Sequence, residues 1–171
     1  MSATSVVLSA QRPGALPAIL VGGLLAGSLD LGSAFITYGA RVPYAIAGGL
    51  LGANALHGGA GTYALGIFLH FFIATSAAAV YYAASRKLGF LKEHPVVCGL
   101  FYGIAVFLVM NLIVLPLSAL HSRGPFQLAR LIQGLLVHMF MIGLPISFSV
   151  RQYAKLPNGS DQKNAAHHAK A

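Results

Sequence analysis

Acidic residues are nearly missing from this chain: Asp30, Glu93 and Asp161 are the only three among 171 residues, and charged residues of either sign make up just 8%. An ordinary soluble domain carries roughly a quarter charged residues. At 57% hydrophobic residues and a mean hydropathy of +0.75, a disordered chain is excluded, because such chains lack the apolar side chains that offset their ordering entropy. A soluble fold is excluded too, since it has no interior large enough for this much apolar surface. Cysteine is almost as scarce. Cys98 stands alone, so neither an intramolecular disulfide nor a Cys/His zinc pattern can be built. Enzyme signatures are missing as well: there is no HExxH, no GxSxG and no paired acidic motif. The glycine run His57-Gly58-Gly59-Ala60-Gly61 lacks the Lys-Ser/Thr ending that holds nucleotide phosphates. The expectation is a protein that is not an enzyme and carries no cofactor.

What the chain does have is long apolar runs. About 20 mainly apolar residues are needed for a helix to cross the hydrocarbon core, where lipid offers the backbone no hydrogen-bond partners. Four stretches qualify: 16–38, 63–84, 95–120 and 128–150. Only Arg12 precedes the first, which outruns a signal-peptide core and reads as a retained span. A fifth stretch, 43–56, starts at a proline and ends at glycines, but is too short to cross easily. The expected fold class is therefore all-α: a polytopic membrane protein built as a four-transmembrane-helix bundle, with a short interfacial or re-entrant helix between spans one and two. The flanking segments 1–15 and 151–171 are expected to be cytoplasmic, the second of them polar and disordered.

The net charge of +8 would suggest nucleic acid in a soluble protein, but the basic residues sit between and after the apolar runs, where they act as topology signals. With four spans, Arg12, Arg86, Lys87, Lys92, Arg151, Lys155, Lys163 and Lys170 share one side, and Arg41, Arg123 and Arg130 the other. Cytoplasmic loops collect Lys and Arg, so both termini are assigned to the cytoplasm. Tyr81, Tyr82 and Tyr102 fall towards that side and are expected to anchor at the headgroup level. The expected partner is the lipid bilayer, without nucleic acid. GxxxG spacings at Gly23/Gly27, Gly48/Gly52 and Gly99/Gly103 mark close helix packing or, alternatively, homo-oligomer contacts through glycine-rich faces.

Each span carries one strongly polar side chain deep in its apolar run: Asp30, His70, Asn111 and His138. A charged group near the bilayer centre costs about 2.5–3.5 kcal/mol on insertion scales, so it faces protein or water and finds a partner. Helical spacing puts Asp30 on the stripe of Gly23, Gly27 and Ala34, His70 on that of Gly66 and Ala74, and His138 on that of Gly134. All four lie about 10–14 Å from the non-cytoplasmic end of their helices at 1.5 Å per residue, which defines one candidate polar layer. Pro116 and Pro145 free the carbonyls of Leu112 and Met141, which can join it. Three uses compete: a hydrogen-bonded structural plug, a proton or ion pathway through the Asp/His pair, and metal or haem ligation by His70 and His138. The first makes the protein a structural or accessory component, and the second a small oligomeric transporter or channel.

The opening of the membrane region, Gly23-Leu24-Leu25-Ala26-Gly27, Ser33-Ala34-Phe35-Ile36 and Tyr38-Gly39-Ala40-Arg41-Val42-Pro43, resembles the YagU-type bacterial inner-membrane proteins. Looser similarity continues at His70-Phe71, between Gly99 and Pro116, and at Gly134 with His138. The resemblance implies a bacterial inner-membrane location and supplies no activity.

Overall fold

The computed structural model describes residues 14–121 and 127–153. The expected terminal segment 1–13 and the tail beyond 153 lie outside the described residues. Four helices are long and apolar enough to cross a membrane: Ala15–Tyr38, Ala60–Lys87, Pro95–Leu117 and Leu128–Tyr153. They are called the first to fourth spans below. Between the first two lies the short helix Val42–Leu51, with Pro43 in its first turn, where a missing N–H costs nothing. Sequence reading ran this helix on to residue 56, but the backbone turns at Gly52, whose φ of 78° is open to glycine alone at little cost. A tighter 3₁₀ turn, Ala53–His57, completes the connection. At 1.5 Å per residue the short helix reaches about 15 Å, half a bilayer core.

Size is distributed opposite to a soluble core. Many of the buried residues are small, such as Ala18, Ala26 and Ala78, while Phe68, Phe72, Phe101 and Leu117 face outward. Apolar burial gives helices in lipid no drive to associate, so close approach of small residues is what holds them together. The first span occupies the centre, packing on the second and fourth, and the fourth packs in turn on the third. Glycines set these seams. Gly23 lies against Thr75 and Gly27 against Phe71 and Ala74, whereas Gly99 and Gly103 face Gly143, Ser147 and the His138–Met139 backbone. The chain's own helices thus occupy two of the GxxxG faces, and Gly48 of the third packs on Leu120.

At the end where Arg86, Lys87, Lys92 and Arg151 gather, the bundle is closed. Tyr81, Ile146 and Val150 are fully buried there with Ala18 and Ala78. Tyr81 and Tyr102 are not headgroup anchors. The Tyr81 hydroxyl donates to Leu91 O at 3.0 Å and that of Tyr102 to Ala77 O at 2.6 Å, with the two rings edge to face at 4.9 Å. Tyr82 is half-buried against the same cluster. The phenol finds its acceptor inside the bundle because the 88–94 connection folds back over it, a tertiary fact that sequence position does not carry. Ser149 adds a buried fastening from fourth span to first, donating to Ala18 O at 2.9 Å.

At the opposite end the second and third spans hardly meet. The short helix fills part of the gap, with Pro43 against Gly66 and Gly49 O accepting Ala119 N–H at 2.8 Å. Both proline-bearing spans widen there. Met110–Val114 and His138–Gly143 are π-helical, with Leu115 N–H bonded to Met110 O and Leu144 N–H to Met139 O. A proline ring clashes with the carbonyl four residues back, and one wider turn just ahead of Pro116 or Pro145 relieves it.

Candidate functional site

The widened end encloses a cavity of about 680 Å³, and its wall includes Asp30, His70, Asn111 and His138 together. Four residues from four helices, read from sequence as one layer, line one space. The arrangement follows from the seams. Gly27, Phe107 and Gly134 hold the helices close just towards the closed end or at the cavity wall, with Gly134 against the Phe107 ring. Beyond them the splayed spans leave room.

Within the layer each donor is tied to a backbone carbonyl. His70 Nε2 lies 2.9 Å from Gly27 O, His138 Nδ1 lies 2.9 Å from Gly134 O, and Asn111 Nδ2 donates to Phe107 O at 2.9 Å. A carbonyl oxygen only accepts, so these nitrogens carry hydrogen. Asp30 Oδ2 stands 3.9 Å from His70 Nε2, within ion-pair range and beyond a hydrogen bond. Their side chains are 18% and 13% exposed, so water in the cavity reaches both. Among the described residues the four make no direct hydrogen bond to one another: Asn111 and His138 bond to carbonyls of their own helices, and His70 crosses to Gly27 O of the first span. The His138 ring also stands edge to face with Phe107 at 5.3 Å.

Of the two carbonyls freed by proline, only Leu112 belongs to a residue of the wall; Met141 lies elsewhere. For the ligation reading, no group of three His, Cys, Asp or Glu side chains suited to a metal occurs among the described residues. His57, His94 and His121 are exposed, apart from the cavity.

Sequence reading missed the outer wall. Ser33, Thr37, Tyr38, Gln133 and Arg130 line it, with Gln133 Nε2 3.1 Å from Thr37 Oγ1 and the Arg130 guanidinium 6.0 Å above the Tyr38 ring. Asp30, Ser33 and Thr37 recur at i, i+3 and i+7 on the first span, so a polar stripe was available as the signal. Comparison of the chain with protein-family models, curated proteins and solved structures finds no match.

Proposed function

We propose that this multi-pass membrane protein admits a small polar species into the cavity between its four spans and acts as the binding half of a proton- or ion-linked transporter, without covalent chemistry of its own. One observation carries the reading: an acid, two imidazoles and an amide from four separate helices line one water-accessible space in a chain otherwise poor in polar groups. Ionisable groups inside a membrane are expensive and mark ligand or ion pathways. The opposite half is sealed by Tyr81, Ile146 and Val150, so passage requires a second conformation in which that end opens. The seal also favours a second reading, a structural or accessory component in which the cavity is a terminal vestibule.

The cavity wall comes from one chain, so a homo-oligomer through the outward helix faces would surround the site without building it. The proposed location is the bacterial inner membrane, which the YagU-type resemblance supports, with both termini cytoplasmic on the basic bias. Reporter fusions after Leu56 should then read non-cytoplasmic, and fusions near Lys87 or after Gln152 cytoplasmic. For the activity, purified protein in sealed vesicles is tested for proton and cation flux. Flux lost in Asp30→Asn and in His138→Phe supports transport; no flux from wild type or either variant, with stability lost in both, supports the accessory role.

A further inference from the structure

We propose that the cavity selects an organic cation bearing N–H donors and an apolar body, a primary arylalkyl ammonium in class; the inference rests on the reading of the cavity as a binding site. Selection follows from which valences the backbone leaves over. Three main-chain carbonyls have taken donors from His70, His138 and Asn111. What remains on His138 is the Nε2 lone pair, and on Asn111 the Oδ1 acceptor with one amide hydrogen. Asp30 contributes a carboxylate, which in its ionised form only accepts. None of these leftover atoms is sealed away, because among the described residues no buried side-chain nitrogen or oxygen lacks a hydrogen-bond partner. The inner wall therefore offers mainly acceptors, a carboxylate among them, and their complement is a positively charged donor.

Charge position agrees. Arg130, the cationic residue of the wall, sits at the exposed rim with its Nε on Gln127 Oε1 and its guanidinium over Tyr38. Tyr38 lies two turns along the first span from Asp30, about 12 Å. The guanidinium over Tyr38 is thus placed towards the wet rim, with Asp30 deeper in the cavity. Phe107, Leu112, Leu131 and Val137 give the wall an apolar and aromatic part, and the cavity volume suits a ring and a short linker.

The test uses the full chain in lipid nanodiscs, with empty nanodiscs as reference, and calorimetric titration of four probes sharing one skeleton. Phenethylammonium has charge and N–H donors, phenethyltrimethylammonium has charge alone, phenethyl alcohol is neutral and 3-phenylpropionate is an anion. The expected order places phenethylammonium first, the trimethyl analogue about tenfold or more weaker because charge-assisted hydrogen bonds are lost, and the anion last. Asp30→Asn should weaken phenethylammonium about tenfold or more, and His138→Phe by a smaller factor. Equal binding of the two cations, stronger binding of the alcohol or the anion, or full affinity in Asp30→Asn overturns the assignment. If Asp30→Asn does not fold, the wild-type probe series decides alone. Binding of the alcohol or anion without the ammonium leaves the cavity a binding site and removes only its cation selectivity. No binding by any probe overturns the cation assignment, while the vesicle flux measurement separately decides whether the cavity passes anything.

Discussion

Replacing Gly143 with alanine tests the seam that frames the cavity. A Cβ built on Gly143 would meet Gly99 O closely and stand 2.8 Å from Gly103 N. Both are main-chain atoms of the third span, which cannot swing aside as a side chain can. Restoring ordinary contact at Gly103 alone means moving from 2.8 Å to about 3.4 Å, so the third and fourth spans must part along their length. Overpacking of this kind costs about 1–3 kcal/mol, offset by about 1 kcal/mol because alanine is the better helix former. The expected net effect is a loss of up to about 2 kcal/mol. Gly32 is the matched control: it lies within the first span, and a Cβ there meets nothing within 4 Å. Gly32→Ala should gain about 0.5–1 kcal/mol from reduced backbone freedom. Both are read by reversible unfolding in mixed micelles, and the two variants should fall on opposite sides of wild type. Were Gly143→Ala as stable as Gly32→Ala, the close backbone approach at this seam would be wrong.

Ser149→Ala removes the buried bond to Ala18 O and should cost about 1 kcal/mol, whereas Ser76→Ala, whose hydroxyl bonds its own helix at an exposed position, should change stability by less than about 0.5 kcal/mol in the same titration. Tyr81→Phe leaves Leu91 O without its donor, so a loss of about 1 kcal/mol should come with faster amide exchange across residues 88–94, measured by mass spectrometry. A double-mutant cycle on Asp30→Asn and His70→Gln should show a coupling of about 0.5–1 kcal/mol, modest because the pair is 3.9 Å apart and wet; strict additivity would mean that the two side chains do not sense each other.

The four spans and the polar layer were legible because the bilayer imposes two hard conditions, a minimum apolar length and a high cost for a stray polar group. Counting residues from the helix ends put Asp30, His70, Asn111 and His138 at similar expected depth, and all four line the same cavity. What they do there was not legible. A histidine in a span carries no mark of whether its ring nitrogen meets a neighbouring side chain or a carbonyl such as Gly134 O, because that depends on rotamer and local backbone. Tyr81 and Tyr102 failed for a similar reason: an amphipathic ring near a helix end suits the headgroup region and a buried contact equally, and the fold of the 88–94 connection decides. Thr37 and Gln133 were passed over since polar residues near a span's end need no explanation when water is close. Pro116 and Pro145 announced a backbone defect, yet the form it took, a wider turn, depends on how the whole span is held by its neighbours.

Those two wide turns give the gene a peculiar tolerance. A π turn accommodates one residue more than an α-helix would over the same rise, the footprint of a single-codon insertion. Deleting one codon within Met110–Val114 or His138–Gly143 would let the turn close into regular α-helix with the flanking segments near their present facing, whereas a deletion elsewhere in the same span would rotate them about 100° relative to each other. After a deletion outside the wide turns, hydropathy, span count and topology signals would survive untouched while the wall of the cavity turned away from its neighbours. Among divergent copies of such a sequence, single-residue length changes would therefore collect in these two short stretches, and codon-deletion scanning would find them as tolerant positions in spans that resist deletion elsewhere.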